Sequence, residues 1–509
     1  MKDESPSSPL PLSPHGQFPL GLIAGLLLLT VTVLLPYALC RQPAWLDEAI
    51  FSYMAQGPSQ AHLPYYQAGY DNKPPGIFLL YQALGAFDPA GLGRVRLAEG
   101  LLVLGTCLVL LFWLRREISP VAGWWAAFLY AFLMAFTPGG LALTEPPMAA
   151  CAVAGFCLAF YGARSGRASL LVTAGLALGI AICFKQVAVF DLVALLAVVA
   201  VLGDRRGRRL LPAGAVLGGF LACWATVAVG MAATGQTRAF LDSAVLSLLH
   251  GGAAAGAGER LGNLLVYWRW ILPMVQVPAL LALLAFLRPL PRPLGALLGA
   301  WLVAAAAGVA SSGYFLNHQS VQFFPALSAL SGLGGAWLLQ QQRGWRPRAR
   351  NGAIAVLLLL AWGAPVDKYR IRLQQEAAGY REAGTSATER LGAWLAAEKP
   401  PGAGLYVLGN GMPLYFYSGR RAPTRYFHSL LLNTPELQEA ALRDLQAHPP
   451  QTLVIAPDYY AVQRQFTARV RQALLGHYGR CFRYDDYPEG DPAFLEYEVW
   501  QWDPHPDWQ

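Results

Sequence analysis

Five short stretches of the chain carry side chains able to do acid–base or anion-binding chemistry. WLDEAIFSYMAQG, residues 45–57, sets Asp47 beside Glu48 at the start of an amphipathic pattern. Carboxylates so placed can take protons from a hydroxyl group, and they also suit the first turn of a helix, where they cap backbone N–H groups and meet the macrodipole. YDNKPPGIF, residues 70–78, puts Lys73 before two prolines and a glycine. A lysine there can neutralise an anion, meet solvent in a stiff turn, or snorkel to a headgroup. LTEPPMAA, residues 143–150, opens an apolar run with Glu145 followed by Pro146 and Pro147, a sequence that equally fits a helix start. GLALGIAICFKQ ends on Lys185 in a turn of almost no length. That charge needs a partner, with Asp191, a lipid phosphate or an anionic substrate as candidates. NHQSVQFFPALSAL, residues 317–330, places His318 and Gln322 one helical turn apart. The spacing of His62, His250 and His318 matches no local metal motif.

These residues can act together only if the elements that carry them converge. Of 509 residues, 55% are hydrophobic and 13% charged, about half the charge of a soluble domain, roughly 25%. Continuous apolar runs lie near residues 18–39, 95–114, 120–136, 145–162, 169–184, 187–203, 210–232, 266–287, 294–311, 321–340 and 352–366. Runs of about 20 residues cross a bilayer as helices, because only helices and closed barrels satisfy the backbone there. The expected fold is a polytopic α-helical membrane protein of about 11 transmembrane helices, with a small C-terminal α/β domain outside the cytoplasm.

The net charge of +8 reflects topology, and nucleic acid is not an expected partner. Its carriers gather between apolar runs: Arg115 with Arg116, Arg164 with Arg167, Arg205 to Arg209, Arg288 with Arg292, and Arg343 to Arg350. With those loops inside, residues 40–90, Glu145, Lys185 and His318 all face outward. Residues 1–17 are expected to be a disordered cytoplasmic tail, 18–366 the membrane domain with its first outer loop at 40–90, and 367–509 the outer domain. In that last part TSATERLGAWLAAEK reads as an amphipathic helix, GLYVLG and QTLVIAP as buried strands, and FLEYEVWQW as an edge strand. Cys107, Cys151, Cys157, Cys183 and Cys223 fall in apolar runs as small packers, while Cys40 and Cys481 share the outer side.

The order of these motifs resembles the GT-C superfamily of membrane glycosyltransferases, closest to its bacterial protein-O-mannosyltransferase-like and aminoarabinose-transferase-like members. Asp47-Glu48, KPPG, the TEP turn and the GLALGIAICFKQ span carry the likeness. HQSVQFFPALSAL is similar to a late-helix motif of the family, with Gln319 where tyrosine is usual, and LYFYSGRRAPTRYF matches at Tyr415, Gly419, Arg420 and Arg425. The resemblance implies transfer of a sugar from a polyprenyl-phosphate donor to a lipid, glycan or protein acceptor on the outer face of a bacterial plasma membrane. It implies Asp47 as base with Glu48 and Glu145 orienting the acceptor, donor phosphate contacts from Lys73, Lys185, His318 and Gln322, and inverting displacement. Tyr415, Arg420 and Arg425 are the outer-domain candidates. No cofactor is assigned; some relatives hold a divalent metal with a carboxylate where this chain has Asn72, and Asp71 is the available substitute. A transporter or flippase for lipid-linked sugars is the rival reading, and it calls for polar groups along the bundle and an inverted repeat.

Overall fold

The computed structural model describes residues 20–40, 43–60, 62–134, 140–202, 210–247, 257–286, 292–341, 347–378, 387–398, 404–456, 461–482 and 497–502. In chain order the membrane part comprises α1 (Leu20–Leu39), α2 (Leu46–Gln60), α3 (Tyr65–Ala68), α4 (Gly76–Ala83), α5 (Pro89–Glu117), α6 (Pro120–Leu133), α7 (Glu145–Ser165) and α8 (Ala168–Phe184). It continues with α9 (Val189–Leu202), α10 (Leu210–Ala233), α11 (Thr237–Phe240), a π-turn Leu241–Leu246, α12 (Ala257–Phe286), α13 (Arg292–Ser311), a 3₁₀ turn Asn317–Gln322, α14 (Phe324–Gln341) and α15 (Pro347–Ala378). Each of the eleven apolar runs lies on one of these helices. Among the described residues, six helices (α1, α5, α7, α10, α12 and α13) are long and apolar enough to cross a membrane, and α6, α8 and the stretch Gln186–Val201 are shorter apolar helices. The chain is a multi-pass α-helical membrane protein. α15 runs through residue 367, so the boundary expected there falls within a helix.

Close packing of helices without a water-driven hydrophobic force depends on small residues at the contact. Gly175 of α8 abuts the Val216 carbonyl of α10, and Gly219 of α10 abuts the Val172 carbonyl of α8. A side chain at either would push the helices apart. The glycines of the GLALG stretch thus hold α8, whose end carries Lys185, against its neighbour.

The C-terminal part adds α16 (Ala387–Glu398), β1 (Leu405–Leu408), α17 (Pro413–Ser418), α18 (Pro435–Ala447), β2 (Thr452–Ile455), α19 (Ala461–Leu474), β3 (Tyr478–Phe482) and β4 (Glu498–Trp502). The sheet order is β1-β2-β4-β3, with β1 parallel to β2 and β4 antiparallel to both its neighbours. β4 is therefore central, not the edge strand that its alternation suggests. The unanticipated β3, YGRCF, lacks an apolar run and gains its place by pairing with β4. Cys481 lies outside the residues whose side chains are described, and with it the question of its pairing with Cys40.

The C-terminal domain shares a core with the segment after α1. Leu405, Val407, Val454 and Val499 on one sheet face pack with Leu391 and Leu395 of α16, Tyr415 of α17, and Ile50, Tyr53 and Met54 of α2. The opposite face packs on α18 and α19. Arg421 strengthens the joint: its guanidinium lies 4.0 Å over the Tyr53 ring and donates to the carbonyls of Tyr53 and Ala68 at 3.1 and 3.3 Å.

A Gly219→Ala substitution should lower the melting temperature of the purified protein, because overpacking costs about 1–3 kcal/mol. Gly218→Ala has open space around its new carbon and should leave the melting temperature within about 1 °C of the parent.

Candidate active site

The first turn of α2 is built around Glu48, which is fully buried. Its carboxylate receives Arg96 of α5 in a bidentate pair, Nε at 2.8 Å and Nη2 at 2.6 Å. It also accepts the backbone N–H groups of Trp45 at 2.9 Å and Ala142 at 2.7 Å. Four donors leave it no capacity for a substrate hydroxyl. Glu48, expected to orient the acceptor, is instead a structural carboxylate that joins α2, α5 and the turn before α7. Its neighbour Asp47 is half-buried, and its charge acts on Asp71 of the lysine loop.

The turn Leu141–Thr144 is pinned twice. Ala142 N–H goes to Glu48, and Leu143 N–H goes to the buried Glu99 of α5 at 3.0 Å. Glu145, the next residue but one, begins α7 with its side chain 2% exposed. It pairs with Lys185 and lies 3.6 Å from His318 Nε2. Lys185 thus finds Glu145 rather than Asp191. Asp191, fully buried, instead accepts from the Gln322 amide at 3.3 Å, and that amide also donates to the Val187 carbonyl at 3.0 Å. Gln322, expected on the donor phosphate, is occupied in fixing the turn that follows Lys185 to α9.

The Lys73 loop is held from several sides. Asp71 Oδ1 accepts the Lys73 N–H at 2.8 Å, Tyr66 Oη donates to the Lys73 carbonyl at 2.7 Å, and the Gln186 side chain donates to the Asn72 carbonyl. Lys73 Nζ rests on Asn72 Oδ1 at 2.8 Å. Gly76 has no left-handed backbone, so its role is not the turn: a β-carbon there would sit 2.6 Å from the Cys183 carbonyl. The glycine of KPPG lets α4 close onto the end of α8, bringing Lys73 to the side of Lys185.

Electrostatics show the convergence. Burial pushes the His318 imidazole below its ordinary range; Glu145 opposes this, Lys185 reinforces it, Asp47 opposes and Lys73 reinforces. One ring therefore feels all four charges. Burial likewise pushes the Asp71 carboxyl up, Lys73 counteracts, and Asp47 adds to the rise. Asp47, Lys73, Glu145, Lys185 and His318 form one cluster contributed by α2, the 71–75 loop, α7, the end of α8 and the 3₁₀ turn. Asp71 braces the loop by accepting the Lys73 N–H on Oδ1. Among the described residues no three His, Cys, Asp or Glu side chains are grouped to hold a metal ion.

The outer-domain candidates divide. Tyr415 is a core residue: its hydroxyl accepts the Val407 N–H at 3.0 Å and its ring packs on Tyr53 at 5.1 Å. Arg425 donates to Ser243 Oγ at 2.8 Å, lies 3.5 Å from Asp242, and stands over the rings of Tyr70 and Tyr426. It thereby ties the C-terminal domain to the lysine loop and to the π-turn. Arg420 is 4% exposed with both terminal nitrogens unpartnered among the described residues. Arg96, Glu99 and His428 were not anticipated from sequence. For the first two the signal was available, since ionisable residues inside an apolar run call for named partners. His428 is buried beyond Arg425, and burial first, then Lys73, holds its imidazole down to about 3.

Residues 91–234 match the family described as dolichyl-phosphate-mannose-protein mannosyltransferase (PMT). The fold is similar to that of ArnT from Cupriavidus metallidurans bound to undecaprenyl phosphate, with TM-score 0.62 and 15% identity over 94% of this chain and 97% of that one. It is also similar to the oligosaccharyltransferase AglB from Archaeoglobus fulgidus, in complex with an inhibitory peptide and a dolichol-phosphate, with TM-score 0.54 and 13% identity over 92% of this chain and 73% of that one. A sequence search of curated proteins returns no match. The chain shares the fold of these two membrane proteins, as the resemblance carried by its motifs implies.

Two tests follow from the buried charges. Arg96→Met strands the Glu48 carboxylate and should cost about 3–5 kcal/mol, read as a large fall in melting temperature that Glu48→Gln in the same chain partly restores. His428 stays neutral in the folded protein down to about pH 3, whereas the unfolded chain protonates it near about 6.5. The unfolded state then binds the extra proton, so stability is full above about pH 6.5 and declines as pH falls towards 3. His428→Phe should flatten that decline in acid-denaturation curves.

Proposed function

We propose that the chain is a glycosyltransferase that moves a sugar from a polyprenyl-phosphate donor to an acceptor hydroxyl or amine at the outer face of a bacterial plasma membrane. The supporting observation is the cluster itself: two lysines, two carboxylates and an imidazole share one electrostatic environment beneath the outer domain. It lies in a fold shared with ArnT, which binds undecaprenyl phosphate.

In the proposed reaction the acceptor heteroatom donates its lone pair to the anomeric carbon as the bond from that carbon to the phosphate oxygen breaks. The phosphate leaves with the bonding electrons. Asp47 receives the proton, since it is the half-buried carboxylate of the cluster without a fixed cationic partner among the hydrogen bonds and ion pairs described. Lys73 and Lys185 stabilise the charge that develops on the departing phosphate, at a site fixed before the donor arrives. Glu145 holds Lys185 in place and lies 3.6 Å from His318 Nε2, and the proposed displacement is in-line and inverting, with Asp47 and the lysines on opposite sides of the anomeric carbon. The arginine clusters at the ends of α5 and α7 support an orientation with those ends inside and the cluster outside. The acceptor class, lipid, glycan or protein, follows from neither the charges nor the fold.

Asp47→Asn should reduce transfer of labelled sugar from polyprenyl phosphate at least about 10²-fold, the scale of a lost general base, with an unchanged melting temperature. Lys73→Ala should weaken donor use more than acceptor use. Parent-like turnover by Asp47→Asn would contradict the assignment, and movement of intact lipid-linked sugar across vesicles without covalent product would support a flippase.

A further inference from the structure

The C-terminal domain places an imidazole within electrostatic reach of Lys73, followed in the chain by a serine, and nothing in the described structure satisfies either side chain. Both ring nitrogens of His428 and the Oγ of Ser429 lack a hydrogen-bond partner among the described residues, although the residues are 4% and 0% exposed. Folded proteins seldom leave such groups unpaired without a water, ion or ligand to meet them. Their position is fixed. The Tyr70 N–H donates to the Arg425 carbonyl at 2.7 Å, so the segment from Arg425 runs alongside the lysine loop. Phe427 stacks on Tyr53 at 4.0 Å, which anchors the residue next to His428 to α2. Three residues beyond Tyr70 comes Lys73 and three beyond Arg425 comes His428, and the lysine's charge acts on the imidazole.

The chemistry of this pair is specific. A neutral imidazole offers one N–H donor and one bare nitrogen, and a serine hydroxyl both gives and accepts, so together they complement hydroxyl groups rather than a second anion. The anion belongs to Lys73. In a polyprenyl-phosphate donor the sugar hangs from the phosphate by a single oxygen, which brings ring hydroxyls next to whatever neighbours the phosphate contact.

We propose that His428 and Ser429 form the sugar-reading wall of the donor site, bonding hydroxyls of the donor's glycosyl ring while Lys73 holds its phosphate. The proposal rests on the reading of Lys73 given above. It makes the outer domain a part of donor selection, with Arg425 and Arg421 fixing the wall against the membrane helices.

The test uses the full-length protein in nanodiscs and compares binding of sugar-free undecaprenyl phosphate with undecaprenyl phosphate carrying mannose, glucose, N-acetylglucosamine, glucuronic acid or an aminopentose. The parent should bind at least one sugar-bearing lipid more tightly than the bare lipid. His428→Phe, which keeps the ring volume, should lose that preference by about tenfold, the scale of one or two hydrogen bonds, with bare-lipid affinity unchanged. His428→Gln, which restores a donor and an acceptor, should recover part of it. A preference retained in His428→Phe, an equal loss for bare and sugar-bearing lipids in both variants, or no preference in the parent would overturn the proposal. Failure of the underlying reading looks different: Lys73→Ala would then leave affinity for bare undecaprenyl phosphate at the parent value.

Discussion

The buried carboxylate of Glu48 is the constraint on which the rest of the site depends. A charge inside apolar surroundings is tolerated only when every acceptor position is met, and Glu48 meets its own with Arg96 and two backbone N–H groups drawn from three elements. Satisfying it fixes the first turn of α2, the face of α5 and the turn before α7 at once. Asp47 lies in that same turn of α2, and Glu99 holds Leu143 through one of its oxygens. The cluster is thus held in place by carboxylates whose hydrogen bonds go to the fold itself.

The same economy runs through the lysines. Lys185 ends a helix that two glycines press against its neighbour, while Gly76 allows the Lys73 loop to close on that helix end. Glycine in both places makes room for backbone to meet backbone. Cations brought together in this way repel unless anions lie between them, and Glu145 supplies one permanently. Under the function proposed above, a donor phosphate would supply the next, and the cluster would stay partly unneutralised until it binds.

Much of the fold was legible in the sequence because bilayer helices announce themselves by length and apolarity, and every apolar run lies on a helix. The strand assignments were legible for LYVL and TLVI, whose runs are buried on both faces, and not for β3 or the central place of β4, which depend on pairing partners far along the chain. The residues of the cluster were legible as chemistry out of place in a membrane. Their individual roles were less so: Glu48 and Asp47 are adjacent and chemically alike, and only Arg96, 48 residues on, marks Glu48 as the one bound into the fold. Gln322 and Tyr415 matched motif positions, yet both are spent on internal hydrogen bonds. His428 had no sequence signal, since what sets it apart is its lack of a hydrogen-bond partner among the described residues.

The account turns on whether the two lysines and Asp47 address the two ends of one bond. A structure of the protein with a polyprenyl-phosphate sugar bound tests this most directly. The account predicts the phosphate within hydrogen-bond reach of Lys73 Nζ, near Lys185, with the Asp47 carboxylate on the opposite side of the anomeric carbon. A phosphate seated away from both lysines, or a sugar whose anomeric carbon turns from Asp47, would contradict it.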